Sequence, residues 1–287
     1  MKATKYNKTQ AERGAWTNGL PEPFCFLAPD SVLLVDMVKE FQQNNSLDID
    51  GKIGPGTYAA MMTVLGAPSN MEGIYIGGSF IKMPGFPTIT YKEDHSLVLP
   101  RSVRKALPNA IVLHYDVTFN ARATKRVLLK RGYSTHFCID HDGTIFQFAD
   151  PKTHKTYHAG SINKRSIGID INNPADIKYQ VRDANLRKAA SPLGTARVCR
   201  EIEKQKVHGH TIERLSYFPC QIKALNALLD VLCEHFEIPK EYPTQDGTPV
   251  YGVYKGWKTF EGVLGHYHIE RKKTDPSPLS WTEDIWN

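Results

Sequence analysis

The sequence has no Cys-x-x-Cys pair, and its five cysteines, Cys25, Cys138, Cys199, Cys220 and Cys233, are odd in number. That argues against a disulfide framework and against a zinc knuckle built on paired thiols. Buried thiols acting as small apolar side chains are expected instead, as in a chain made in a reducing cytoplasm. No stretch approaches the roughly 18 apolar residues of a membrane span, so no membrane insertion is expected. The opening Met1-Lys2-Ala3-Thr4-Lys5-Tyr6-Asn7-Lys8 holds no apolar run of a signal peptide, and export by the general secretory route is not expected. Charge of one sign is modest, with 36 Lys and Arg against 30 Asp and Glu, a net +6. The one short basic cluster is Arg271-Lys272-Lys273. No stacking or groove-reading motif accompanies it, so nucleic acid is not an expected partner. A mild positive field still favours polyanions, bacterial envelopes among them. No internal repeat is present.

What remains is ordinary core-forming material: 41% hydrophobic residues, with 12 Phe and 13 Tyr. At roughly 100–200 residues per domain, the length fits one large domain or a small one beside a larger one. Residues 1–29 are polar, then rich in proline and aromatics, and read as an irregular arm. Asp30-Ser31 caps a helix whose Leu34, Val38 and Phe41 share one face. Asp48-Ile49-Asp50-Gly51 makes a turn, and Pro55 opens a second helix that runs to about Leu65. Residues 30–65 thus form a small helical unit. Residues 66–95, dense in Gly and Pro, read as a linker with one strand at Ile74 to Ile76.

From residue 96 to 287 the pattern is that of a larger α/β domain, a mixed central sheet flanked by helices. Ala110 to His114 is a buried strand. Thr124 to Lys130 has helical composition. Phe137 to Ile139 and Ile145 to Phe148 flank Asp142-Gly143, a hairpin signal. Ile167 to Ile171 alternates with period two, which sets Asp170 on the face of Gly168 and away from Ile167, Ile169 and Ile171. Residues 175–217 show no clear period and read as an insertion. Pro219 to Phe236 is a helix with Ile222, Leu225, Leu228, Leu229 and Leu232 along one side. His208-Gly209-His210 reads as exposed loop, and His141 and His154 as solvated.

Two imidazoles and a carboxylate, His114, His266 and Asp275, could serve as three ligands of a catalytic zinc with water in the fourth position. Spacing alone leaves two readings open, a metal site or hydrogen-bonded surface histidines, because the chain has 11 His.

Six stretches follow the order of the type-2 amidase family. They are Ile111-Val112-Leu113-His114; Ser134 to Gly143; His158-Ala159-Gly160; Asn163 with Ser166 to Asp170; Gln221 with its Leu-rich helix; and Gly265-His266 through Lys273-Thr274-Asp275-Pro276. Residues 110–281 therefore resemble that family, which includes T7-type lysozymes and relates to peptidoglycan recognition proteins. The resemblance implies zinc held by His114, His266 and Asp275, and hydrolysis of the bond between N-acetylmuramic acid and L-alanine in peptidoglycan. It implies Lys273 as a cation for the oxyanion, and Asp170 as the proton acceptor where the amidase subfamily usually has Glu. It places His158 in the substrate cleft, and Tyr115 is expected beside it. His136 faces the cleft or is a satisfied core histidine. Thr135 stands where T7-type lysozymes carry tyrosine, and Asp275-Pro276-Ser277 replaces the family's common Asp-Pro-Gly. Residues 30 to 65 resemble the peptidoglycan-binding type-1 domain through Val38, Phe41, Gln42, Asp50-Gly51, Ile53-Gly54-Pro55 and Thr57. Together these imply a monomeric bacteriophage endolysin, held in the host cytoplasm and reaching the wall at lysis. The alternatives are a non-catalytic recognition protein and an amidase acting on soluble muropeptides.

Overall fold

In a computed structural model of the full chain, residues 2–13, 15, 24, 28–65, 71–183 and 200–286 are described, with 62–65 described by backbone only. Cys25, Cys199, the first residues of the expected linker (66–70) and residues 184–199 of the expected insertion lie outside them. The chain divides into two compact units, residues 1–69 with 181–199, and residues 70–180 with 200–287. Among the described residues no helix is long and apolar enough to cross a membrane.

Among the described residues of its N-terminal stretch, the smaller unit holds the helices α1 (Ala3–Glu12), α2 (Val32–Asn44) and α3 (Pro55–Leu65). Ser31 caps α2, its hydroxyl accepting from Leu34 N at 2.9 Å. Leu34, Val38, Phe41, Ile53 and Met61 form its core. The expectation of an irregular arm over 1–29 is corrected by α1. That helix is polar and carries no apolar stripe for a pattern to reveal. It is anchored by Asn7, which is fully buried. Asn7 Nδ2 donates to Gly51 O at 3.0 Å, and its Oδ1 accepts from Ile53 N at 2.8 Å.

The larger unit is built on a six-stranded sheet. Its strands are β3 (Thr88–Thr90), β5 (Ala110–Tyr115), β6 (Phe137–Ile139), β7 (Ile145–Gln147), β9 (Ser166–Ile171) and β14 (Gly262–Gly265), in the order β14-β5-β9-β6-β7-β3. β14, β5, β9 and β6 run parallel; β7 returns antiparallel to β6, with β3 parallel to β7. Ile111, Leu113, Ile167, Ile169, Ile171, Phe137 and Ile139 pack against helix α5 (Pro219–Phe236) through Leu225, Leu228, Leu229 and Leu232. Each such buried side chain contributes about 1.5–3 kcal/mol. Alternation sends Val112, His114, Gly168 and Asp170 to the other face. Helix α4 (Ala121–Arg131) is capped there by Asn120, whose Oδ1 accepts from Ala123 N, and is ended by Gly132.

One further sequence expectation is corrected. The linker reading of 66–95 gives way at residue 73, where β1 (Gly73–Ile76) pairs with β2 (Ser79–Lys82), and β3 joins the main sheet. Ile74 and Ile76 are core residues. Gly77 and Gly78, at φ 60° and 82°, make the tight turn, and their N–H groups donate to the Asp150 carboxylate at 2.9 Å each. The glycines thus serve a hairpin rather than a flexible tether. The expected insertion, which shows no clear period, contains a second hairpin, β10 (Ile202–Val207) and β11 (His210–Leu215). Its strands carry alternating polar side chains and bury little, so no apolar period marks them. Two-stranded ribbons β4 (Ser102–Val103) with β8 (His154–Lys155) and β12 (Thr244–Gln245) with β13 (Thr248–Pro249) complete the unit.

Candidate metal centre and cleft

His114 stands at the C-terminal end of β5, and Asp170 is its register partner on β9. His266 follows β14 directly. Three adjacent parallel strands therefore deliver these groups to one end of the sheet, the place where open α/β sheets form their crevices. A cleft of about 630 Å³ opens there, lined among others by His114, Tyr115, Asp116, His158, Asp170, His266, Lys273 and Asp275.

His114 Nδ1 lies 2.9 Å from Asp275 Oδ2 and 3.1 Å from His266 Nδ1, and His266 Nδ1 lies 2.9 Å from the same oxygen. All three residues are buried. Burial pushes the His114 imidazole down to about 4, against the pull of Asp275. Burial would raise the Asp275 carboxyl, but the bonds to His114 and His266 outweigh it and hold it well below the usual range. A neutral imidazole and an ionised carboxylate are the forms a metal ion requires. Tetrahedral zinc, with bonds of about 2.0–2.2 Å, spaces its ligand atoms by roughly 3.3–3.6 Å. Outward movement of a few tenths of an ångström therefore fits the trio to a metal ion, with the fourth side open to the cleft.

His158 reaches this centre from behind. Its Nδ1 lies 3.1 Å from His114 Nε2, and its Nε2 lies 3.2 Å from Ser166 Oγ. Its ring sits over Gly168, where a Cβ would come 2.7 Å from His158 Cγ. Asn163 shapes the loop that carries it, its Oδ1 accepting from Ala159 N at 2.7 Å. The side chain lines the cleft and also touches the outer nitrogen of a candidate ligand. Burial holds His158 well below its ordinary value, and His114 and His136 add to that effect.

Asp170 is buried beside the trio. Burial raises its carboxyl well above the usual range; the charges of Asp116 and Asp275 add to this, while a bond from Thr135 and the charge of Lys273 oppose it. Lys273 lines the cleft wall next to Asp275. Tyr115 also lines it, and its hydroxyl lies 2.6 Å from Thr274 Oγ1.

His136 does not reach the cleft. It is fully buried. Its Nδ1 accepts from Gly168 N at 3.0 Å, which leaves the proton on Nε2, donated to His154 O at 3.1 Å. Burial drives it down to about 3, so it is a satisfied core histidine and the substrate-contact expectation is corrected. His141 is not free in solvent either: its Nδ1 lies 2.8 Å from Asp140 Oδ1. His208 is also tied down rather than loose, with Nε2 2.9 Å from Lys273 O.

Asp116 is a cleft residue that sequence reasoning missed. It accepts from Thr118 N, Asn173 N and Asn172 Nδ2 at 2.9–3.1 Å, and burial raises its carboxyl to about 6. The signal was available, since strand alternation carries 112 and 114 on to 116. Arg200, fully buried under Gln221, Ser216 O and Asn172 O, carried none.

The chain is similar to several known proteins. Residues 31–61 match the peptidoglycan-binding domain family. A Rickettsia conorii protein described as an N-acetylmuramoyl-L-alanine amidase is 33% identical over 76 residues, 24% of this chain and 28% of its own length, so the chain spans under a third of that relative. Among solved structures, a selenomethionine AmpD derivative is 16% identical, with a TM-score of 0.37 over 70% of this chain and 92% of its own. The Ph2119 endolysin from a Thermus scotoductus MAT2119 bacteriophage is 15% identical, with a TM-score of 0.39 over 68% and 94%. The amidase LysC from Clostridium intestinale URNW is 18% identical, with a TM-score of 0.37 over 66% and 87%. Residues 104–278, more than half of the sequence, match the N-acetylmuramoyl-L-alanine amidase family, and the chain belongs to that family.

Proposed function

We propose that this chain hydrolyses the amide bond between N-acetylmuramic acid and the L-alanine of the peptide stem in bacterial peptidoglycan, as a zinc enzyme. The observation that carries this reading is the convergence of His114, His266 and Asp275 at the mouth of the cleft. When bound, zinc supplies a Lewis acid and a water made acidic to about pKa 7. His114, His266 and Asp275 would hold it. Asp170 sits one strand from His114, about 4.8 Å across the ladder, and takes the proton of the attacking water. Burial raises this carboxyl, which makes its ionised form a stronger base toward that proton. Asp170 then gives the proton to the departing L-alanine amine. Lys273 offers its ammonium to the oxygen on which negative charge develops. His158 keeps the His114 ring in place. Val127, Leu128, Trp257 and Ile269 on the cleft walls help exclude water.

The finer reading is a bacteriophage endolysin acting as a monomer on the whole wall after release from the host cytoplasm. It is supported by the match of residues 31–61 to a wall-binding family beside the amidase match. A wall-bound module raises the local concentration of substrate bonds for the catalytic unit.

Digestion of purified sacculi by the zinc-loaded protein, followed by mass spectrometry, tests the proposal. Unsubstituted glycan and peptides that begin with L-alanine are the expected products. New reducing ends, or binding without products, would overturn it. Comparable rates on sacculi and on soluble muropeptides would remove the endolysin reading and leave the amidase.

A further inference from the structure

The segment from Lys273 to Leu279 carries both Asp275 and Lys273, yet its own chemistry denies it a place in the sheet. Pro276 and Pro278 have no N–H to give a ladder. The segment is nonetheless buried from Asp275 to Leu279. Its carbonyls therefore need donors from elsewhere, since an unpaired buried carbonyl is costly.

Thr274 O and Pro276 O accept from Ser277 N and Leu279 N within the segment, and Asp275 O accepts from Tyr267 N; the β10–β11 hairpin and the residues just after it supply the other donors and a second one to Pro276 O. Gln205 Nε2, on β10, donates to Leu279 O at 2.8 Å and to Pro278 O at 3.3 Å. His208, at the turn, places Nε2 2.9 Å from Lys273 O, so that nitrogen carries the proton and donates it. Tyr217, just past β11, donates its hydroxyl to Pro276 O at 2.8 Å. Arg214 reaches toward Thr274 Oγ1 at 3.5 Å, the same oxygen that meets Tyr115. Three side chains thus hold four carbonyls along seven residues. The hairpin is itself fixed. Val207 joins the main core, His208 N donates to Tyr251 O at 2.8 Å, and Arg200 fastens its entry to Asn172 O and Ser216 O.

We propose that this hairpin is the positioning element of the centre. His208 and Tyr217 set the backbone from which Lys273 and Asp275 project, and neither touches substrate or metal. The roles of Lys273 and Asp275 rest on the proposed function; the grip itself does not.

The test compares full-length wild type, His208→Ala, His208→Gln and Tyr217→Phe by hydrogen exchange of residues 273–279, first without metal. His208→Ala and Tyr217→Phe are expected to exchange this segment at least about 10-fold faster, a change of roughly 1.4 kcal/mol in local opening. Gln offers an N–H at nearly the reach of Nε2 and is expected to restore protection. Zinc affinity by chelator competition is expected to fall by about 10-fold in His208→Ala and to recover in His208→Gln. Unchanged exchange in both His208→Ala and Tyr217→Phe overturns the proposal, as does a His208→Gln variant no better than His208→Ala. Should His208→Ala fail to fold, Tyr217→Phe, which removes one hydroxyl, decides alone. A wild type that binds no zinc defeats the metal reading, and the exchange result still decides this one.

Discussion

His158 Nδ1 lies 3.1 Å from His114 Nε2, on the side of the His114 ring that faces away from Asp275. A metal ligand's second nitrogen normally has such a partner, and the partner fixes ring orientation and tautomer. Were His114 Nδ1 to face the proposed metal, its Nε2–H would donate to His158, whose own Nε2–H would then turn to Ser166 Oγ. His158 therefore has two claims on it, the cleft and the ligand. They separate experimentally. His158→Ala should weaken zinc by about 10–100-fold, measured by chelator competition. Gly168→Ala should do the same with His158 itself left in place, because its Cβ would come 2.7 Å from the His158 ring and displace it. A raised KM with unchanged zinc affinity would leave His158 a substrate contact only.

Removing the metal is the broader check. Dialysis against a chelator should abolish amide hydrolysis, and zinc should restore it. The same addition should raise the melting temperature, since a ligand at 100 times its Kd adds about 2.7 kcal/mol. Asp275→Ala should lose both effects, because two imidazoles are left without their shared carboxylate.

Asp170→Asn should keep zinc and lose turnover by about 100- to 10,000-fold. Its pH dependence has a defined sign. The folded carboxyl is raised by burial, so the protonated form stabilises the fold. That contribution is complete below the ordinary carboxyl range near 4, and it is lost as pH rises through the folded value. In metal-free protein, the stability difference between wild type and Asp170→Asn should therefore shift against wild type as pH rises from about 4. Thermal melts of the two proteins from pH 4 to 8 read this directly; a flat difference would show an unperturbed carboxyl.

Much of this centre was legible because strands have period two. The Ile167-Ile169-Ile171 face predicted where Asp170 would not point, and the structure puts those three residues against α5 and Asp170 in the cleft. The α5 helix was equally plain from its leucines. What was hidden is polar and non-local. Arg200 and His208 act through carbonyls far along the chain, and no spacing rule marks a carbonyl. His136 was undecidable for a related reason: its partners, Gly168 N, His154 O, Thr156 Oγ1 and the Arg104 guanidinium, are brought close only by the fold.

Lys273→Ala should lower kcat by about 100- to 1,000-fold, the usual loss when an oxyanion partner is removed, while zinc affinity stays within a few-fold. Lys273→Arg keeps the charge but not the point-like geometry, and should recover only part of the rate. Steady-state kinetics on a soluble muropeptide, with zinc content measured in parallel, separates loss of chemistry from loss of metal.

Asn7 carries the last prediction, because α1 escaped the sequence reading altogether. Its carboxamide is fully buried and bridges Gly51 O and Ile53 N, on the loop between α2 and α3. Asn7→Ala removes both of these buried hydrogen bonds, a loss of about 1–3 kcal/mol. Asn7→Asp keeps the acceptor for Ile53 N but sets a carboxylate against a carbonyl, and should be no better. The helical unit has a small core, so a loss of this size should melt it well before the larger unit. Pull-down on sacculi should then fall with temperature sooner than in wild type, while hydrolysis of soluble muropeptides is unaffected. Wild-type binding and melting in Asn7→Ala would reduce α1 to a decorative arm.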